Sequence, residues 1–382
     1  MIPITFIAQA DKKQIRKMIS SLLFVFFFKL PEISPAMEFI RAALCSYGMS
    51  GVVFHGPLLE THPGFKITKI LERTKRESEG KHAGSCIVRH YSEILDDPDV
   101  ELVIVNTPDH LHYEMASLAL QSGKHVVVEK PFTLRSEDAG KLISLAEKKG
   151  VLLTVFQNRR WDGDFLTVKE IIGSGKLGRL VDFESHFDRY RTQIQDSWKD
   201  QSTGTGTLYN LGSHLIDQAL VLFGMPERIY CDSRMLRDGA RTDDSFDLLL
   251  HYPGFKCMLR SSYLVREPGP RFILHGTEGS YLKWGIDPQE EDMKAGKIPG
   301  AAGWGEEPES GWGTINTLHK GLRQVGRVPT LPGNYLVFYD SLHAAITRNE
   351  PLPVRPSEAL NVVRIIEAAY ESSHSAKVIS LR

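Results

Sequence analysis

Cysteine is scarce in this chain of 382 residues, and the four present (Cys45, Cys86, Cys231 and Cys257) lie far apart. With no Cys-x-x-Cys pair there is neither a disulfide framework nor a metal-ligand spacing to read. Scattered thiols of this kind fit a reduced, cytoplasmic enzyme. An excess of one charge is lacking too: the formal net charge is −1, so nothing argues for nucleic acid as a partner. A bilayer span takes about 20 apolar residues, and the run Leu22 to Phe28 stops well short of that, so no membrane segment is expected. No Gly-x-Ser-x-Gly elbow occurs, which removes support for a Ser/His/Asp hydrolase.

What is present is an ordinary globular balance, 42% hydrophobic and 24% charged, over a length that allows two full cores. The first 36 residues stand apart. Lys12, Lys13, Arg16 and Lys17 precede the apolar run, and Ser34-Pro35-Ala36 follows it. That is the layout of a secretory leader, and equally of an upstream extension ahead of a working start at Met37. Residues 1–36 are therefore set outside the fold. Cytoplasmic residence is expected, with export only if the leader is a signal peptide.

The rest of the chain is organised around Lys124-His125-Val126-Val127-Val128-Glu129-Lys130-Pro131. Val126 to Val128 reads as a short strand buried on both faces, as in a parallel sheet, and Pro131 ends its ladder. Glu129 and Lys130 then sit at the strand's carboxyl end, the edge where open α/β sheets bind ligands. An amine held there beside apolar walls can exchange a proton near neutrality. A solvated ion pair after a core strand is the plain alternative.

Upstream, a strand over Phe39–Cys45 leads into Ser46-Tyr47-Gly48-Met49-Ser50-Gly51 and a helix over Val52–Leu59. This is the slot of the G-x-G-x-x-G fingerprint, with Ser46 in place of the first glycine. Gly48 lets the backbone approach a pyrophosphate and Gly51 lets helix and strand pack closely, while the amides that open the helix, at Met49 and Ser50, face the phosphates. A second strand, Lys66–Leu71, ends in Glu72, placed to bind a ribose diol and favour NAD. Arg73, Thr74, Lys75 and Arg76 follow, a set that suits the 2′-phosphate of NADP. Both cofactors stay open. Strand Leu102–Val105 ends in Asn106-Thr107-Pro108-Asp109-His110, again at the ligand edge. Helices over Tyr113–Gln121 and Arg135–Lys149 and a strand over Val151–Phe156 complete a doubly wound parallel sheet in residues 37–157.

After Gln157 the pattern changes. Asn158-Arg159-Arg160-Trp161-Asp162 leads into a helix through Ile172. Alternating strands follow over Arg179–Arg191, Arg228–Met235, Ser245–Tyr252, Lys256–Tyr263, Arg271–His275 and Ser280–Trp284. Period-two alternation with one polar face predicts an open, mainly antiparallel sheet in an α+β domain over 158–382. Gly285–Val328 reads as a long loop over a cleft or subunit contact. Helices near Tyr335–Arg348 and Pro356–His374 close the chain and are expected to pack back on the first domain. An open sheet face of this kind is often covered by another subunit, so a homodimer or homotetramer is expected.

Thr207–Phe223 reads as a helix on which Asn210, His214 and Asp217 share one face. A histidine between an amide and a carboxylate can be fixed in one tautomer, as a general base requires. The plain alternative is a half-exposed helix with ordinary polar residues. One His and one Asp are too few for a closed metal site, so no metal is expected. Arg159, Trp161 and Tyr190 are candidates for the wall of a substrate pocket.

Together, Ser46–Gly51 after the first strand, Asn106-Thr107-Pro108, Glu129-Lys130-Pro131 and the helix of His214 resemble the Gfo/Idh/MocA oxidoreductases. Within that family Gly48-Met49-Ser50-Gly51-Val52-Val53-Phe54-His55-Gly56-Pro57, Asn158–Asp162 and Gly206–His214 are similar to the NADP-dependent scyllo-inositol dehydrogenases. The resemblance implies that Lys130 contacts substrate and nicotinamide ribose, and that His214 is the catalytic histidine. The sequence departs from the family at Asn210, often an aspartate, and at Glu72, an acid that NADP-dependent members tend to lack. The expectation is an NAD- or NADP-dependent dehydrogenase acting on a secondary hydroxyl of a polyol or sugar. Two alternatives stand beside it: a non-catalytic sensor of dinucleotide or sugar, and an NAD-dependent glycosidase.

Overall fold

The valine run forms strand β5 (His125–Val128), paired in parallel with β4 (Leu102–Val105) and β6 (Leu153–Val155). The computed structural model describes residues 39–194, 206–319 and 321–381, and the expected leader lies outside the described residues. With β1 (Ile40–Leu44), β2 (Phe65–Leu71) and β3 (Cys86–Val88), these strands make a parallel sheet in the order β3-β2-β1-β4-β5-β6. The chain reverses direction across the sheet between β1 and β4, and open sheets bind ligands at such a switch point. The sheet is covered by α1 (Gly56–Thr61), α2 (Ser92–Leu95), α3 (His112–Gln121) and α4 (Ser136–Lys149). Helix α4 shows why these residues are helical: Glu137 and Asp138 open it, Lys148 and Lys149 close it, and Gly150 at φ 67° terminates it. Acid at the start and base at the end complement the helix dipole, and the left-handed stop suits glycine.

The second sheet has nine strands in the order β14-β13-β12-β11-β7-β10-β9-β8-β15. Its centre is β7 (Leu180–His186), β9 (Ser245–Tyr252) and β10 (Phe255–Ser262), where β7 and β10 run parallel and every other pair is antiparallel. In β9, Phe246, Leu248, Leu250 and Tyr252 are buried while the alternate residues stay partly exposed. That period of two fixes which face packs. The buried face meets α5 (Gly163–Gly173), α6 (Ser213–Phe223) and α9 (Pro356–Ser375). The remaining strands of this sheet are β8 (Arg228–Arg234), β11 (Phe272–Gly276), β12 (Gly279–Lys283) and β15 (Ile379–Ser380).

Two expectations need correction. Residues 285–328 are not one loop: they contain helix α7 (Gln289–Lys294) and a hairpin of β13 (Gly313–His319) and β14 (Leu322–Val328) that extends the sheet. The side chains from Leu322 to Arg327 are all exposed, so the strand has no buried face and leaves no alternation in the sequence. The long strand expected over Arg179–Arg191 is regular only to His186; beyond it, backbone bonds from Phe187, Arg189 and Arg191 and a bridge from Tyr190 to Leu264 continue the pairing less regularly. Helix α8 (Leu336–Arg348) sets Phe338, Tyr339 and Leu342 into the core of the parallel sheet, and α9 contributes to both cores. Among the described residues no helix is long and apolar enough to cross a membrane.

Candidate active site

The carboxyl ends of β1, β4 and β5 open onto a cleft of about 520 Å³, closed on its far side by residues just beyond β7 and β10 and by residues of α6 and α7. On the near side the glycine loop is clasped to the end of β4. Ser46 N donates to Asn106 Oδ1 at 2.9 Å, Asn106 Nδ2 donates to Ser46 O at 2.9 Å, and Ser46 Oγ donates to Asn106 O at 2.8 Å. A Cβ on Gly51 would stand 2.7 Å from Ser46 O, so only glycine permits this closeness, whereas the space at Gly48 is open. Ser46, Gly48, Met49, Ser50, Thr107 and Pro108 line the cleft. An open backbone approach leading into a helix start is what a dinucleotide pyrophosphate needs, and these residues fit one. Asn106 lines the cleft as well, but its amide is engaged in holding Ser46.

Beyond Val128 the bond from Lys130 to Pro131 is cis, and both Glu129 and Lys130 face the cleft. Lys130 Nζ donates to the Asn210 carbonyl at 2.7 Å and approaches Asn210 Oδ1 at 3.3 Å. Asn210 lies in the wide turn Leu208–Gly212 that precedes α6, and its own amide donates to Tyr263 Oη at 3.2 Å. His214 is buried at 5% exposure on the next turn, with its ring stacked on Phe187 at 6.4 Å between centroids. Lys130, from the end of β5, and Asn210 and His214, from the turn before α6 and from α6 itself, thus line one cleft.

Behind Lys130 runs a buried chain that the sequence did not reveal. Glu129 Oε2 accepts from the Lys130 N–H at 3.0 Å, Glu129 Oε1 meets His55 Nε2 at 3.1 Å, and His55 Nδ1 meets Tyr339 Oη at 2.6 Å. Burial works to raise the Glu129 carboxyl. The bond and charge of His55, with the charge of Lys130, outweigh it and hold the group below the usual carboxylate range. Next to it, burial pushes Asp109 up, against the pull of His112 and Lys130. His112, buried, bridges Pro131 O at 2.8 Å and Thr107 O at 3.0 Å, tying the ends of β4 and β5 together.

Several expected residues are placed elsewhere. His110 points out from the cleft, its side chain 54% exposed, and His112 lies in the wall where His110 was expected. Asp217, one turn after His214 on α6, does not line the cleft: its carboxylate forms a bidentate pair with Arg160, at 2.7 and 2.8 Å. Trp161 packs edge-on against Phe338 in the first core, and Tyr190 is 51% exposed beneath Arg266. Glu72 is buried with its carboxylate turned to its own loop, accepting from Glu77 N at 2.7 Å, Ser78 N at 2.9 Å and the Ser78 hydroxyl. Burial alone would raise Glu72, but these bonds and Arg89 hold it below the usual range. Arg73 to Arg76 stay exposed beside it.

Arg159 does line the cleft, buried between Asp162 at 3.1 Å and Glu290, which also binds Lys294 at 2.7 Å. Glu290 and Lys294, one turn apart on α7, lie in the segment read as a loop. Arg189, Arg191 and Tyr263 complete that wall and were also missed. Against the effect of burial, Arg159 and Lys294 hold the Glu290 carboxyl down at about 2. A carboxyl depressed in the fold contributes stability above its unfolded pKa of 4.5 and loses it as the pH falls towards 2. The stability gap between the protein and Glu290→Gln is therefore expected to be full at neutrality and to narrow below pH 4.5, as read from denaturant midpoints. A gap that stays constant with pH would show that the charge on Glu290 contributes nothing.

Comparison with known proteins follows the same two-part division. The oxidoreductase-family model for an NAD-binding Rossmann fold matches residues 40–157, and that for the family's C-terminal alpha/beta domain matches residues 169–381. The scyllo-inositol 2-dehydrogenase (NADP(+)) IolW of Bacillus subtilis is 40% identical over 346 residues, 90% of this chain and 97% of its own. Among solved structures, the oxidoreductase yvaA of Bacillus subtilis superposes with a TM-score of 0.88 at 40% identity, covering 91% of this chain and all of that one. An oxidoreductase from Bacteroides fragilis reaches 0.83 at 47% identity, over 90% of this chain and 100% of its own.

Proposed function

The chain belongs to the Gfo/Idh/MocA oxidoreductase family, and on that premise we propose that it is a dehydrogenase interconverting a secondary hydroxyl and a ketone on a cyclic polyol or sugar. The observation that carries this reading is the gathering of Lys130, Asn210 and His214 around the cleft that the glycine loop also lines. A relative that acts on scyllo-inositol with NADP(+), similar along nine-tenths of the chain, supports it.

A bound nicotinamide supplies the hydride acceptor or donor. The protein's own residues handle the oxygen and the proton. Lys130 Nζ, steadied by the Asn210 carbonyl, donates to the reacting oxygen and offsets the negative charge that builds there. The His214 imidazole takes the hydroxyl proton in oxidation and returns it in reduction. Asn210 orients Lys130, and its neutral amide adds no negative charge to the site. Glu129 and His112 fix the strand ends from which Lys130 projects.

We also propose NADP as the preferred dinucleotide. Capture of a ribose diol needs a free carboxylate at the end of β2, and Glu72 is already engaged by Ser78 and Glu77. Arg73, Thr74 and Arg76 remain exposed for a phosphate. The test is the reduction of NAD and of NADP, measured separately, with scyllo-inositol, myo-inositol and glucose. NADP is expected to lead by about tenfold or more in kcat/KM, the worth of a charge-assisted bond. Equal or better turnover with NAD would reject the preference. Dinucleotide binding without turnover of any polyol or sugar would favour the sensor, and release of free sugar without net cofactor consumption would favour the glycosidase. A homodimer or homotetramer formed on the open face of the nine-stranded sheet is proposed as the assembly, and a monomeric mass in light scattering would reject it.

A further inference from the structure

Among the described residues, the far wall of the cleft holds more positive charge than its acids neutralise. Phe187, the ring on which His214 stacks, lies under three guanidiniums: Arg189 at 4.5 Å, Arg159 at 4.8 Å and Arg271 at 5.1 Å. Arg159 is paired with Asp162 and Glu290, and Arg271 stands 3.8 Å from Asp164. Arg189 has no carboxylate within ion-pair distance among the described residues; its guanidinium donates to the carbonyl of its own neighbour, Asp188, at 3.0 Å. Glu290, the acid that acts on it through space, is already bound to Arg159 and Lys294.

The pattern repeats at Tyr263. Its ring is flanked by Arg237, paired with Asp244 at 3.0 Å, and by Arg191 at 5.7 Å, which has no carboxylate partner among the described residues. Arg189 and Arg191 are two positions apart on an extended segment pinned at Tyr190, so both project to the cleft while Tyr190 projects away. Burial and the neighbouring charge of Arg159, with a smaller effect of Arg191, disfavour the charged form of Arg189. A guanidinium does not relieve that stress by losing its proton. It is relieved by an anion, and a fork of parallel donors fits the paired oxygens of a carboxylate or phosphate. Aromatic stacking offsets part of the cost of burying Arg189, but it does not neutralise the charge.

We infer that the substrate carries an anionic group, a carboxylate or a phosphate, bound by Arg189 and Arg191 on the side of the cleft where His214 packs. The inference rests on the dehydrogenase reading above and narrows it to acidic or phosphorylated polyols and sugars. Both Arg189 and His214 pack against Phe187, so an anion on Arg189 is within reach of a small molecule whose hydroxyl meets His214.

The test is steady-state NADP reduction by the full chain on two matched pairs: glucose against glucuronate, and myo-inositol against myo-inositol 1-phosphate. In at least one pair the anionic member is expected to lead by about 10- to 100-fold in kcat/KM, the worth of hydrogen bonds to a charged group. Which pair shows the effect separates carboxylate from phosphate. The double variant R189Q/R191Q is expected to lose the preference, chiefly through KM. Preference for the neutral member, or an anion preference that survives in the double variant, would overturn the proposal. Should no member of either pair turn over, that failure falls on the dehydrogenase reading, and thermal stabilisation by glucuronate or inositol phosphate in the presence of NADP decides the anion site separately. A shift that R189Q/R191Q abolishes would support the site, and no shift with either anion would overturn it.

Discussion

Replacement of Lys130 by methionine is expected to lower kcat by roughly 10²- to 10⁴-fold while dinucleotide affinity stays close to that of the native protein. Methionine keeps the length and packing of the lysine stem and removes only the charged donor. The Asn210 carbonyl then loses the donor held 2.7 Å away. That loss costs about 1–3 kcal/mol of stability if the carbonyl is not rehydrated, so folding should be checked by denaturation alongside turnover. The effect on kcat should far exceed any effect on the dissociation constant for the dinucleotide, whose pyrophosphate is proposed to bind at the Ser46–Gly51 loop rather than at Lys130. His214→Gln should behave alike in turnover. Near-normal kcat in Lys130→Met would remove the amine from the chemistry and leave it a purely structural role.

Asp217→Ala is expected to act in the opposite way, costing about 3–5 kcal/mol of stability, as loss of one member of a buried ion pair does, with turnover per folded molecule unchanged. Arg160 is held at once by Asp217, at 2.7 and 2.8 Å, and by Glu358, at 2.8 Å. Its side chain is only 12% exposed, and that of Asp217 is 3% exposed. This one guanidinium therefore joins the turn at Asn158–Trp161, α6 and the start of α9. Removing Asp217 leaves the charge with Glu358 alone, in a place water barely reaches. Chemical denaturation gives the loss directly, and the double variant R160M/D217L is expected to recover most of it, since an apolar pair of similar size avoids the desolvation. If instead Asp217→Ala were stable but slow, the carboxylate would have to be acting on His214 after all.

The centre of the parallel sheet was legible because β4, β5 and β6 are short, rich in β-branched residues and almost wholly buried, whereas the edge strand β3, with Cys86 exposed, was not read. Glu129 and Lys130 were legible for the same reason: a proline after a buried strand marks the ligand edge. Spacing along the helix brought Asn210 and His214 to the cleft but could not show the partner of Asp217, because Arg160 lies 57 positions away in the chain. The β13–β14 hairpin was hidden because its exposed faces leave no periodicity. Arg189, Arg191, Glu290 and Lys294 were hidden because a wall assembled from residues about 100 positions apart carries no local pattern. His55 offered a weak signal, a histidine in the turn after the glycine loop, but its role depends on Tyr339, 284 residues away.

The three hydrogen bonds between Ser46 and Asn106 have a consequence for affinity. A phosphate-binding loop that is disordered without its ligand must surrender conformational freedom on binding, which weakens association by an amount that grows with each residue immobilised. Here that freedom is lost during folding, when the end of β4 closes on the end of β1. The dinucleotide then meets a rigid receptor, and its contacts appear in the binding constant undiminished by loop ordering.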